Sequence, residues 1–487
     1  MPHFFYKGVD NLLDGVHVDL QIQLVKKELS KILETRNLSF LIGSGCSLGE
    51  NGIPTMKQMA DNFFESSEEK IKQLKPHLKK LLLSKEHTKF LVQHKIDFTK
   101  EPFRNNLEVF LGTLYSLKFY LEQINDTDEL TEIDKVITQT KNYILYQCLN
   151  EENKSKDNKI LENYRNFYRK LSLRDSNLPK PNVFSTNYDL YSEKVMDELG
   201  ITFTNGFSGF IERYFNPSIF NYALAEQMDI SSFKWNVIDS FIYLFKIHGS
   251  VNWVEVEETN KLFNVQELQS VDYDYLSKRK NLMIYPSPIK QNASLGSPYS
   301  DLFREFQRRI AQNQSILITM GYSFSDEHIN NLIYQALTIS TFRIVIFSDL
   351  IYKTEGGIKS RENIEKLRKL NDPRIWIIGS DSYSEEGVEK EKMEEEANEE
   401  LVDNKQEEAK DDSKQDTPED VEKDAHDDSV VQENQILSGI TEEENCLHFF
   451  STITNILLPD WTENKIEEKN AEIINLLHKN SENHNRV

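Results

Sequence analysis

Three short polar stretches, far apart in the chain, carry residue types that could build one ligand site: Gly43-Ser44-Gly45-Cys46-Ser47, Ser185-Thr186-Asn187-Tyr188-Asp189 and Lys246-Ile247-His248-Gly249-Ser250. Glycine lets backbone amides approach a phosphate closely, and hydroxyls add donors. A carboxamide such as Asn187 can orient a water or a sugar hydroxyl without titrating, and the Asp189 carboxylate can accept from an N–H. An imidazole, with an ordinary pKa of about 6.5, suits general-base work near neutral pH, the role open to His248. Gly321-Tyr322-Ser323 repeats the glycine and hydroxyl combination and fits the adenosine half of a dinucleotide.

Each stretch also has a plainer reading. The first is an ordinary strand-exit turn, Asn187 or Asp189 a helix cap, and His248 a buried histidine satisfied by backbone. Asp326 most simply caps the helix that follows it, and no catalytic role is expected of it. A sharper competitor lies in Gly45-Cys46-Ser47-Leu48-Gly49, which matches the Gly-x-Ser-x-Gly elbow of serine hydrolases, with Asp189 and His248 following in the right order. That elbow needs a strand running through the serine into a helix. Here Glu50 to Pro54 intervenes, and the strand is expected to be the first in the chain, so the hydrolase reading is disfavoured.

What unites the three stretches is position. Each follows an apolar, β-prone run: Leu38 to Ile42, Asn182 to Phe184 and Phe241 to Ile247. Ligands of open α/β sheets bind beyond the carboxyl ends of the strands, so such motifs can converge on one crevice. Further buried-strand candidates are Ser315 to Met320, Phe342 to Phe347 and Arg374 to Ile378. Helical periodicity marks Leu20 to Thr35, Lys57 to Phe64, Leu190 to Leu199 and a stretch from about Glu327. Strands alternating with helices predict a Rossmann-like, doubly wound, mostly parallel α/β sheet. Residues 66–175 are Lys/Glu/Leu-rich, with amphipathic runs at Leu107 to Leu121 and Leu130 to Leu149, and are expected to form a helical insertion subdomain.

Composition sets the outer limits. Of the net charge of −23, −16 lies between Asp381 and Val430, where 22 Asp and Glu meet 6 Lys. Residues 1–382 are thus expected to be a mildly acidic globule, 383–434 a disordered acidic linker, and 435–487 a C-terminal helical segment whose apolar stretch, Ile436 to Leu458, docks back on the body. There is no basic footprint for nucleic acid or an anionic membrane. Three isolated cysteines cannot build a four-cysteine zinc site. The amino end lacks the order of a signal peptide and no apolar run reaches the ~20 residues that span a bilayer, so a cytoplasmic location is expected.

Taken together, these motifs resemble the sirtuin family, in the bacterial sirtuin-like branch that works in anti-phage defence. Sirtuins carry Gly-Ala-Gly-x-Ser followed by Gly-Ile-Pro; here Gly43 to Ser47 leads to Gly52-Ile53-Pro54. Their Thr-Gln-Asn-Ile-Asp is similar to Ser185 to Asp189, their His-Gly to His248-Gly249, and their Gly-Thr-Ser to Gly321-Tyr322-Ser323. The resemblance implies NAD as substrate, no metal, a catalytic pair Asn187 and His248, and nicotinamide held by Asp189. It implies a dinucleotide site of Gly43, Ser44, Gly45, Cys46, Ser47, Thr186, Asp189, Gly321, Ser323 and Ser348. The chain departs from deacylating sirtuins in lacking cysteines between Cys148 and Cys446 and in having Thr55-Met56-Lys57 where they have Asp-Phe-Arg. These departures favour an NAD glycohydrolase that depletes cellular NAD. The alternatives are an NAD-dependent deacylase or ADP-ribosyltransferase, and a nucleotide-sensing module without turnover. By family analogy the enzyme forms a homo-oligomer and is gated by a partner such as a HerA-type ATPase.

Overall fold

The computed structural model describes residues 2–381 and 446–459 apart from short internal stretches, of which 151–157, 257–263 and 284–296 are the longest. The acidic run 383–434, residues 436–445 of the C-terminal segment and residues 460–487 lie outside the described residues.

Among the described residues, nine strands form the central sheet: β1 (His3–Lys7), β2 (Asp10–Asn11), β3 (Asn37–Ile42), β4 (Asn182–Ser185), β5 (Thr202–Thr204), β6 (Phe241–Lys246), β7 (Ser315–Met320), β8 (Arg343–Phe347) and β9 (Ile375–Ser380). Their spatial order is β2-β1-β9-β8-β7-β3-β4-β6-β5. Every pairing from β9 across to β5 is parallel, and the antiparallel pairings, of β1 with β9 and with β2, lie at one edge. The fold is a Rossmann-like α/β sheet. β7 is buried along its whole length and β3 in all but its first residue, which is why both read as continuous apolar runs.

From β3 the chain builds outward to β4 and β6 on one side, and later to β7, β8 and β9 on the other. The strand order therefore reverses between β3 and β7, the place where open α/β sheets leave a crevice. Register brings the motifs to that place. Phe347 pairs with Met320, Met320 with Ile42, Ile42 with Ser185 and Ser185 with Lys246. The next residue of each strand thus leaves the sheet at one common edge, and these are Ser348, Gly321, Gly43, Thr186 and Ile247.

Helix α1 (Val18–Leu33) precedes β3, and α2 (Met56–Phe63) follows the glycine loop. Thr55 starts α2 with a capping box, its hydroxyl accepting from the Gln58 amide and its own amide donating to the Gln58 side chain. The 66–175 region supplies α3 (Leu107–Ile124), α4 (Thr127–Cys148) and α5 (Lys159–Ser172). Their buried residues, including Leu111, Ile144 and Phe167, join one apolar core with Phe40 and Ile42 of β3, so these helices pack directly on one face of the sheet. Helices α6 (Tyr191–Leu199), α7 (Tyr299–Ile310), α8 (Glu327–Leu337) and α9 (Glu362–Lys369) complete the layers. No helix among the described residues is long and apolar enough to cross a membrane.

Two features were not legible beforehand. A second, antiparallel sheet gathers Asn281–Met283, Gly249–Glu255, Val265–Glu267, Arg213–Phe215 and Phe207–Ser208. Strand β1 closes the far edge against β9, pairing His3 with Ser380. The second sheet has strands of only two or three residues beside Gly249–Glu255, and β1 pairs with a strand far away in sequence, neither of which local periodicity reports.

Candidate functional site

The site begins where the two glycine turns meet. Gly43 leaves β3 extended and a 3-10 turn follows over Ser44–Ser47. The Gly43 amide donates to the Met320 carbonyl (2.9 Å), the Gly45 amide to Gly321 (2.9 Å) and the Cys46 amide to Gly43 (3.1 Å). A Cβ on Gly45 would stand 2.8 Å from the Gly321 Cα, and Gly321 itself has φ +61°. Glycine is required here because two backbones lie against each other. These three amides serve the loop's own packing, while Ser44 and Gly45 stay exposed. Cys46 turns into the core with its thiol 3.3 Å from the Met320 carbonyl; burial first, and the Asp189 charge second, push that thiol well above its ordinary range. Cys46 is thus a structural side chain, held protonated.

Asn187 is locked by the same loop. Its Nδ2 donates to the Gly43 carbonyl (3.0 Å) and to Ser47 Oγ (3.0 Å). A carbonyl can only accept, so the orientation of the amide is determined. Both donors are consumed, and Oδ1 is left buried without a partner on a residue only 7% exposed. Such an atom calls for a donor from elsewhere, because leaving it bare costs about 1–3 kcal/mol. Asp189, equally enclosed, accepts from Ser47 Oγ at 2.8 Å and from the Tyr191 amide at 3.1 Å. Asp189 therefore holds the first amide of α6 and anchors Ser47 at once.

Ser47 is the hub. Its single hydroxyl proton goes to Asp189, which leaves its two lone pairs to accept from Asn187 and from the phenol of Tyr164, 3.0 Å away. A serine nucleophile would need that proton on a histidine. Instead it goes to a carboxylate, and the carboxylate beside His248 is Asp326. The serine-hydrolase geometry is not assembled.

His248 lies between β6 and the strand Gly249–Glu255, where Gly249 at φ +86° turns the chain from one sheet into the other. Its Nε2 stands 3.0 Å from Asp326 Oδ2, with both side chains mostly enclosed. The approach is at ion-pair distance, and Nε2 makes no hydrogen bond among the described residues. Asp326 Oδ1 meanwhile caps α8, accepting from the His328 (2.9 Å) and Ile329 (3.3 Å) amides. The capping expected of Asp326 is present. The contact with His248 was not expected; it forms across the carboxyl ends of β3 and β4, which lie between β6 and β7 in the sheet.

Three more side chains, none of them among the expected site residues, support this edge. Lys246, 1% exposed, donates to the Asp189 carbonyl and stands 3.6 Å from Glu193 Oε1. Burial pushes Glu193 up to about 7, with the Lys246 charge pulling the other way. Tyr164 comes from α5 of the helical region; burial holds its phenol far above the ordinary range, so it remains a neutral donor. Lys246 was visible beside the histidine motif. Nothing local marked Tyr164 or Glu193.

The remaining expected residues sit around the rim. The Thr186 amide donates to the Ile42 carbonyl (3.0 Å) and ties β4 to β3. Ser323 is exposed with its hydroxyl 2.9 Å from that of Ser325. Ser348 continues β8, bonding Ile378 through its amide (3.1 Å) and the Asp349 carbonyl through its hydroxyl (2.9 Å). Among the described residues, no cluster of three or more His, Cys, Asp or Glu is placed to hold a metal.

A central parallel sheet with glycine turns at its switch point, and an Asn and a His on neighbouring strand ends, defines a Rossmann-like ligand-binding domain. Residues 181–369 match the family model of the SIR2-like domain, so this part of the chain is sirtuin-like. The match takes in Asn187, His248, Gly321 and Asp326 and supports a sirtuin-type, NAD-related function; the Gly43 loop and α5 lie before it. No curated protein matches the chain.

Proposed function

We propose that this protein is an NAD glycohydrolase, cleaving NAD with water to nicotinamide and ADP-ribose. The observation that carries the proposal is the buried, unpartnered Oδ1 of Asn187, held in a fixed direction beside the crevice. A ribose hydroxyl or the attacking water would supply its missing donor. In the reaction the bond from the ribose anomeric carbon to the pyridinium nitrogen breaks, its electron pair neutralises that nitrogen, and the water oxygen bonds to the same carbon. The proton released is assigned to His248, whose Nε2 stands 3.0 Å from the Asp326 carboxylate. Such a transition state resembles an oxocarbenium ion, so positioning and exclusion of bulk water do most of the work.

The SIR2-like match over 181–369 supports an NAD-related function rather than a serine hydrolase. In the cell the reaction would deplete NAD during phage infection in the cytoplasm, with a homo-oligomer or a HerA-type ATPase as the gate. The test is NAD consumption by the purified protein. Release of nicotinamide without any peptide supports hydrolysis, strict dependence on an acylated peptide would make it a deacylase, and binding without turnover would make it a sensor.

A further inference from the structure

The loop that holds Asn187 is itself held from outside the matched domain. Tyr164, fully buried on α5, gives its phenol to Ser47, and Ser47 takes its geometry from that bond together with Asn187 and Asp189. The ring of Tyr164 is in turn clamped by Phe450 of the C-terminal segment, edge to face with centroids 5.0 Å apart. Phe450 also meets Phe167 one turn further along α5, at 5.9 Å.

The clamp is a docked element and not a chance contact. Leu447, Ile453, Leu457 and Leu458 are buried with Phe450. Lys170 of α5 donates to the Leu458 carbonyl (2.8 Å), and Asn166 of α5 to Asn455 (2.7 Å). At its other end the Leu447 amide bonds Ser380 Oγ (2.9 Å), and the Ser380 amide bonds His448 Nδ1 (3.2 Å), at the last residue of β9.

The geometry points to Tyr164 as a positioning residue for the Asn187 site, kept in place by Phe450, so that the site is complete only when the C-terminal segment is docked. The path is three contacts long: Phe450 on the Tyr164 ring, the Tyr164 hydroxyl on Ser47, and Ser47 on the Asn187 amide. Edge-to-face aromatic pairs contribute beyond their buried area, and a saturated buried hydrogen-bond hub loses direction when one member leaves. The functional consequence rests on the NAD reading above; the mechanical link does not.

The experiment uses the full chain and three variants, Tyr164→Phe, Phe450→Ala and Phe450→Leu, with hydrogen exchange followed at the Gly45, Cys46 and Asn187 amides in the first two. Tyr164→Phe removes one atom and leaves the Phe450 packing, so it carries the test if Phe450→Ala fails to fold. Exchange at those amides is expected to quicken roughly five- to tenfold in both variants, the loss of about one net hydrogen bond. Amides of β8, on the far side of the switch point, should not change. NAD turnover is expected to fall through kcat more than through KM, and Phe450→Leu, which restores apolar bulk, should recover part of it. Unchanged exchange at the loop in Tyr164→Phe overturns the proposal, whatever the turnover. A wild-type protein that does not consume NAD would defeat the functional reading, while the exchange data would still decide this one.

Discussion

His248 and Asp326 meet across the switch point of the sheet, Nε2 to Oδ2 at 3.0 Å, although 77 residues of chain separate them. One comes from the end of β6 and the other from the turn after β7, on opposite sides of β3. Asp326 divides its carboxylate, one oxygen capping α8 and the other facing the imidazole.

That division makes the two roles separable. Asparagine caps a helix about as well as aspartate, so Asp326→Asn should leave thermal stability nearly unchanged. Loss of the charge beside His248 should lower NAD turnover by ~10–100-fold, the range of a coupling of about 1–3 kcal/mol between neighbours. His248→Ala and Asn187→Ala should each cost ~10²–10⁴-fold with the fold retained. The double variant Asp326→Asn, His248→Ala should be no slower than His248→Ala alone, since the carboxylate acts through the ring. Steady-state NAD consumption measures all four.

Gly321 is expected to tolerate no side chain. Its φ of +61° disfavours any Cβ, and that Cβ would fall 2.5 Å from the Cys46 amide nitrogen and 2.8 Å from the Gly45 carbonyl carbon. Both obstacles are backbone, so relief requires the two glycine turns to part. Gly321→Ala should cost about 1–3 kcal/mol of unfolding free energy, read by denaturant titration. Gly200, also at positive φ but with open space around its Cβ direction, is the control in which only the backbone conformation is strained.

Glu193 makes stability depend on pH in an unusual direction. Its carboxyl is raised to about 7 in the folded protein, by burial first and by Asp189 and Glu267 in addition, against the lowering effect of Lys246. The folded state therefore keeps a proton that the unfolded state releases near 4.5. The associated stability is present below that value and is lost as pH rises through about 7. Glu193→Gln should match wild type near pH 5 and be the more stable protein near pH 8. Melting temperatures at the two values decide this; equal pH slopes in both proteins would refute it.

The long run between Asp381 and Cys446 starts and ends at one spot, because the Leu447 amide lies 2.9 Å from Ser380 Oγ. Loop closure cost grows only slowly with length, so a short link can replace a long one there. Deleting 386–434 and joining the ends with a few Gly and Ser residues should preserve NAD turnover and leave the Phe450 clamp intact. Stopping the chain before Cys446 should instead expose the apolar surface of α5 and lower turnover. Activity and native mass of the two proteins test it.

Local sequence was enough for the strands that position the candidate site. Leu38 to Ile42 and Ser315 to Met320 are apolar on both faces, a pattern that only a covered parallel strand needs, and they occur as β3 and β7. Glycine and hydroxyl residues after such strands pointed to the crevice, because backbone geometry there demands them. The same logic placed Asn187 and His248 just beyond the ends of two strands, and the pairing of β4 with β6 makes those strands neighbours. What local pattern could not decide is which side chains touch. Tyr164 reads as one more aromatic on an amphipathic helix, Asp326 as a cap, and Phe450 as part of an apolar tail. Their contacts with Ser47, His248 and Tyr164 span sequence separations that only the closed core brings to a few ångströms. A hydrogen bond or ion pair is a property of two positions, and neither position alone encodes the distance between them.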